Sequence, residues 1–188
     1  MKLFQTMTTV IPVAFIYSST FGVQLDATQT ASCQMLAGIA LSDGTITDAE
    51  IVDAGSYVRP ETRSRPAAAD QLFRVLPAFC RVAATLRPSD DSDIKVEIWM
   101  PVEKDIWNKK FQAVGNGAFT GSIRYISMAR ALARGYATSS TNTGHTGNTA
   151  SFGLGHPEKV IDFGWRSVHE MTILAKHVIS GYYDTPPE

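Results

Sequence analysis

The chain has 188 residues, enough for one domain of ordinary size, and its 44% apolar and 19% charged content is that of a globular protein rather than a disordered one. Seventeen basic and 18 acidic side chains give a net charge of −1 with no block of like sign. That excludes a nucleic-acid surface or an acidic-ligand surface as the basis of function and points to a small or uncharged partner.

The first residues, MKLFQTMTTVIPVAFIYSSTFG, place Lys2 before an apolar run from Val10 to Tyr17, with the small residues Thr20 and Gly22 spaced as at a signal-peptidase site. Residues 1–22 therefore read as a cleaved secretion signal, and the protein as secreted and extracellular. The alternative is an N-terminal strand or helix of the domain. The run is too short to span a bilayer, and no other segment is long enough to cross one, so no membrane partner is expected. On a secretory route the two cysteines, Cys33 and Cys80, are expected to form a bridge, with free thiols as the alternative. None of the four histidines, His145, His156, His169 and His177, has metal-ligand spacing, so no metal site is expected from them.

Residues 23–77 read as an N-terminal cap. Cys33 to Leu41 and Pro66 to Leu76 are small-residue stretches around a turn-rich segment (Ser42, Asp43, Gly44, Gly55, Pro60) with no clean period. Phe79 to Leu86 is a strand-like run, and IKVEIWMP alternates Ile94, Val96, Ile98 and Met100 against Lys95, Glu97 and Trp99. With the polar turn between them, these predict an antiparallel pair with one buried face.

Phe111 to Val114 then predicts a short strand, and GSIRYISMARALARGYA a helix carrying Ile123, Ile126, Met128, Ala129 and Leu132, closed by Gly135. A further strand at Tyr136 to Ser140 completes a βαβ unit and hence a parallel pairing. A long loop, TNTGHTGNTASFGLGHPEK, follows with four glycines and no periodicity. After it, Val168, Met171, Ala175, Val178, Ile179 and Tyr182 fall on one face of a helix over 162–182.

The stretch FQAVGNGAFTGSI, 111 to 123, puts three glycines between strand and helix. A dinucleotide fingerprint fails, because Gly115 and Gly117 are followed by Thr120 where the third glycine belongs. A phosphate-binding loop fails as well, since Gly121 precedes Ser122 and Ile123 rather than Lys and Ser or Thr. Two readings remain open: the oxyanion loop of an α/β-hydrolase, or a tight turn with close helix packing.

The strings AFCRV (78–82), IKVEIWMP, WNKKFQAVGNGAF, the run Met128 to His145, and above all LGHPEKVIDFGWRSVHEMT (154–172) resemble the tannase and feruloyl esterase family. The resemblance is dense from Ala78 to Tyr183, thinner back to Cys33 and absent from residues 1–22. It implies an α/β-hydrolase fold, of which residues 78–188 are the N-terminal part: an antiparallel β pair, the βαβ unit and the helix before the nucleophile turn, without the lid. It implies a serine carboxylic ester hydrolase whose partner is a small phenolic ester of galloyl or feruloyl type. It also implies a bridge between Cys33 and Cys80 and calcium in the lid, outside these residues. The family's oxyanion loop falls on Gly115 to Phe119, with Gly117 or Ala118 giving the N–H; Asn116, Asn142 and His145 fall on the cleft rim or are surface turn residues. No GxSxG and no Cys-Ser-x-Gly-Gly turn occurs, so the triad is expected outside this chain and these residues alone are expected to be inactive. The alternative is a short secreted binding module or pseudoenzyme relic without catalysis.

Overall fold

The computed structural model describes residues 27–60 and 71–188. The signal reading at 1–22 and the start of the 66–76 stretch lie outside these residues. Five strands form one mixed sheet: β1 (Gly44–Val52), β2 (Phe79–Leu86), β3 (Ile94–Pro101), β4 (Phe111–Val114) and β5 (Ala137–Thr141), in the order β1-β2-β3-β5-β4. The pairings β1–β2, β2–β3 and β3–β5 are antiparallel, and β4–β5 is parallel. Helix α1 (Ala27–Met35) leads into β1; α2 (Tyr125–Leu132) joins β4 to β5; α3 (Pro157–Ile161) and α4 (Ser167–Tyr183) follow β5.

The antiparallel pair and the βαβ unit stand as the sequence predicts, with Phe79 opposite Pro101 and Leu86 opposite Ile94. Strand β1 is a correction, because its segment carries no clean period in the sequence. The reason is a bulge: the register with β2 shifts between Ile46 and Asp48. Buried Ile46 is therefore followed on the inner side by Ala49 and Ile51, and the period of two is broken where a sequence reading looks for it. The segment read as a cap thus shares the sheet and the core.

The sheet is covered on both faces, which corrects the expectation of one buried face. On one side, Val82, Ile94, Val96, Ile98 and Met100 meet Met171, Leu174, Ala175, Val178 and Ile179 of α4, together with Cys33 and Leu36. On the other, Phe79, Trp99 and Val114 meet Met128, Ala129 and Leu132 of α2, with Phe73 and Leu76. Glu97, on the face with Trp99, is therefore only 5% exposed. A carboxylate there needs partners. Arg81 supplies a fork, Nε to Oε2 at 2.9 Å and Nη2 to Oε1 at 2.7 Å, and Trp99 Nε1 and Tyr125 Oη donate at 2.9 and 3.2 Å. Burial pushes the Tyr57 and Tyr125 hydroxyls well above the ordinary tyrosine range, and the neighbouring Glu97 charge adds to it. Burial opposes the charge on Arg81, but its bonds to Glu97 outweigh that and its pKa lies above the ordinary value.

Helix α2 closes on Gly135 as the sequence predicts. At φ +81°, Gly135 donates its N–H to Leu132 O at 2.8 Å, and the next N–H, of Tyr136, reaches Ala131 O at 3.2 Å. The loop after β5 is shorter than read, because Pro157 at the first turn opens α3 and a π turn, Asp162–Arg166, joins it to α4. The π turn carries an extra residue and shifts the helical phase. Val168, expected on the core stripe, is 43% exposed because it stands in the first turn of α4, ahead of Met171 where the packing against the sheet begins, whereas Met171, Ala175, Val178, Ile179 and Tyr182 are buried. Burial pushes the Tyr182 hydroxyl up to about 12.

Cys33 is joined to Cys80, tying α1 to β2 across 47 residues. Closing a loop of that length stabilises by roughly 4 kcal/mol in the chain-entropy model. Urea unfolding with and without reductant should differ by about that amount; equal midpoints would show that the bridge constrains little. Glu97→Leu should cost about 3 kcal/mol, at the low end for a broken buried pair because Arg81 keeps Asp48 at 2.7 Å. An unchanged denaturation midpoint in that variant would rule out the network as a stabilising element.

Candidate active site

The chain leaves β4 at Val114 and enters Gly115-Asn116-Gly117-Ala118-Phe119 at the C-terminal end of the parallel pair. A Cβ built on Gly115 or Gly117 would meet nothing within 4 Å, so the folded chain itself does not require glycine at either position. Gly121 differs. A Cβ there would lie 2.5 Å from the His145 carbonyl oxygen, and its N–H donates to Gly147 O at 2.7 Å. What approaches the glycine loop from within the chain is thus the turn after β5, and it approaches at the third glycine.

Ala118 takes φ +48°, a left-handed conformation that costs a residue with a Cβ about 1–2 kcal/mol. Such strain gathers at functional sites. Thr120 N–H closes the turn on Gly117 O at 3.2 Å. Among the described residues, no hydrogen bond joins the N–H of Gly117 or Ala118 to an acceptor.

The turn after β5 forms the wall of this loop. Asn142 is 8% exposed, and its Oδ1 accepts from Lys95 N at 2.8 Å and Gly144 N at 3.0 Å, anchoring the turn to β3. Asn116 reaches across from the glycine loop, Nδ2 to Thr141 O at 2.9 Å. His145 is 6% exposed, and its Nε2 lies 3.0 Å from Phe119 O. A carbonyl only accepts, so Nε2 holds the hydrogen. The imidazole stacks on Phe152 at 3.9 Å and meets the edge of Phe163 at 5.6 Å. Asn116, Asn142 and His145 therefore come together around the glycine loop, and Asn142 and His145 are buried supports rather than surface turn residues.

Two residues that the sequence did not single out hold this turn from below. Asp162 is fully buried against Gly144, where a Cβ would lie 2.8 Å from that of Asp162, and Gly144 has φ +78°. Arg166 Nε donates to Asp162 Oδ1 at 2.6 Å, and its Nη2 reaches Ser92 Oγ and Glu158. Burial disfavours the Arg166 charge, and the bonds from Asp162 and Glu158 outweigh it, so its pKa is raised. The signal that could have found Asp162 is the run DFG within the long shared string, one turn below the glycine-bearing TNTGH.

The other histidines lie elsewhere: His156 pairs with Asp91 at 2.9 Å, His169 packs beside Trp165, and His177 lines a groove against Leu41 and Leu86. A groove of about 350 Å³ beside the turn is lined by Asn142, His145, Phe152 and Lys159, not by Gly117 or Ala118, which face open solvent. Among the described residues, no three His, Cys, Asp or Glu side chains are grouped to hold a metal ion, and no helix is long and apolar enough to cross a membrane.

The arrangement can present backbone N–H groups to an oxyanion. A family model described as tannase and feruloyl esterase matches residues 80–188. An uncharacterised esterase of Xanthomonas campestris pv. campestris is 36% identical over 163 residues, 86% of this chain and 27% of its own length. Feruloyl esterase C of Talaromyces stipitatus is 32% identical over 173 residues, 87% of this chain and 32% of its own. The crystal structure of feruloyl esterase B from Aspergillus oryzae superposes with a TM-score of 0.70 at 28% identity, covering 85% of this chain and 30% of that one. This chain spans about a third of the length of these relatives. With a partial α/β-hydrolase sheet and a family match over more than half its length, the chain belongs to the tannase and feruloyl esterase family.

Proposed function

We propose that the protein is a secreted serine carboxylic ester hydrolase acting on phenolic esters of galloyl or feruloyl type, and that residues 78–188 form the N-terminal part of its catalytic domain. The observation that carries the reading is the glycine loop after β4, whose Gly115 and Gly117 face space the chain leaves empty while the N–H groups of Gly117 and Ala118 stay without an acceptor among the described residues.

On this reading a serine outside these residues loses its proton to a histidine base and attacks the ester carbonyl. The carbonyl oxygen becomes an oxyanion, stabilised by the N–H of Gly117 or Ala118 and by that of the residue after the serine. Collapse breaks the bond to the alcohol, which leaves with the proton, and water then releases the phenolic acid. Calcium, on the same reading, belongs to the lid, and no step of this chain runs through it. What this chain contributes is a donor held in place before the reaction, and loss of one such donor costs about 10²–10³ in kcat.

The full-length gene product should hydrolyse methyl ferulate or methyl gallate, and residues 1–188 alone should not. Turnover by the 188 residues would show that no outside serine is needed. A full-length product inert toward both esters would leave a binding role instead. Gly117→Ala separates a substrate-facing loop from a tight turn. Its Cβ meets nothing in this chain, so stability should stay level or rise by about 0.5 kcal/mol. Ester turnover by the full-length product should fall, because the added methyl occupies the space the carbonyl must enter. An active Gly117→Ala variant would remove Gly117 from the site.

A further inference from the structure

The glycine loop is exposed, has open space beside Gly115 and Gly117, and holds Ala118 in a sparsely populated backbone conformation. Left to itself, such a loop would not keep its N–H groups aimed at one point. Among the described residues, three hydrogen bonds from the segment 141–147 restrain it: Asn116 Nδ2 to Thr141 O, His145 Nε2 to Phe119 O, and Gly121 N to Gly147 O. The first holds the loop before Gly117 and the third holds it at its exit. Of these hydrogen bonds, that of the imidazole alone reaches the backbone of Phe119, directly after Ala118; the Phe119 ring also meets Phe163 at 5.7 Å.

We infer that His145 is a positioning residue for ester hydrolysis, which holds the Ala118–Phe119 end of the glycine loop through its Nε2–H so that the N–H of Gly117 or Ala118 stays aimed at the oxyanion. The inference rests on the esterase reading above. Its physical basis is the rigidity of the grip. His145 is 6% exposed, stacked flat on Phe152 with 20° between the rings, and carried by a turn that Asn142 ties to β3 and Asp162 presses from below. Nδ1 faces the Thr143 hydroxyl at 3.3 Å and the Thr143 carbonyl at 3.4 Å, so neither ring nitrogen is left toward the solvent side where substrate would sit. This histidine is therefore placed to hold the loop and not to act as the base.

The test compares His145→Leu and His145→Gln in the full-length gene product, with methyl ferulate and methyl gallate as probes. Leucine keeps an apolar side chain on Phe152 and cannot donate; the glutamine amide can donate to the Phe119 carbonyl. The leucine variant should lose about 10²-fold in kcat with KM unchanged, the signature of a donor displaced by an ångström or so. The glutamine variant should recover most of that loss. Amide exchange gives a second readout: Gly121 should exchange faster in the leucine variant while β2 and β3 keep wild-type protection, which also shows that the variant is folded.

A folded leucine variant with wild-type kcat would overturn the inference, as would a glutamine variant no better than leucine. If the leucine variant does not fold, the glutamine variant decides: kcat near wild type supports the grip, and a hundredfold loss in a folded protein overturns it. If the wild-type product hydrolyses neither probe, the esterase reading has failed and the positioning role falls with it. A wild type that turns over ester beside an unimpaired leucine variant removes the positioning role alone.

Discussion

Strand β5 must pair with neighbours that run in opposite directions, antiparallel with β3 from Val96↔Thr141 to Trp99↔Thr138 and parallel with β4 from Phe111↔Ala137 to Val114↔Ser140. It is also touched by α2 on one face and α4 on the other. A strand covered on both faces usually reads as a run of valine and isoleucine. Here it reads Ala-Thr-Ser-Ser-Thr, all five buried. Small side chains let two helices approach closely, and three of the four hydroxyls serve nearby backbone. Thr138 Oγ1 donates to Gln112 O at 2.8 Å, Ser140 Oγ accepts from Arg124 N at 3.0 Å at the start of α2, and Thr141 Oγ1 accepts from Thr143 N at 3.1 Å.

Parallel pairing has a geometric consequence. Strands β4 and β5 point the same way, so the loops that follow them emerge side by side at one end of the sheet, where open α/β sheets bind ligands. The glycine loop and the Asn142 to Gly147 turn are neighbours for that reason, although about 25 residues separate their joined groups. The site is therefore built by strand register more than by loop sequence. Its rigidity comes from β3, which Asn142 grips through both backbone groups of Lys95, and from the π turn, whose Asp162 fills the space that Gly144 leaves.

This division explains what the sequence could and could not disclose. The strands β2 to β5 and the glycine closure of α2 were legible because each depends on neighbours a few residues away. Strand β1 was not, because a bulge at Thr47 moves its inner residues out of alternation. The exposure of Val168 was hidden for another reason: by period it lies on the stripe, but it falls in the first turn of α4, before the helix reaches the sheet at Met171. At the site, the glycine-rich composition was plain, yet which glycine is tight could not be read. That depends on His145, 24 residues after Gly121 in sequence and in contact with it only through the sheet. Asn142 and His145 look like polar loop residues on paper; their burial follows from the parallel register and from Phe152, which is carried by a short 3₁₀ turn, Ala150–Gly153.

The placement of glycine in the loop runs against what folding alone asks for. Folding needs glycine where φ is positive or where backbone comes close. Gly121 meets the second need, but the positive φ falls on Ala118, while Gly115 and Gly117 have neither a positive φ nor a neighbour. A loop shaped only for stability would exchange these, with glycine at 118 and ordinary side chains at 115 and 117. Sequences depart from local rules mainly where function compensates. A loop kept bare on its open side, strained at one residue and gripped at the next by a buried imidazole, is explained by a ligand that must reach the backbone from outside.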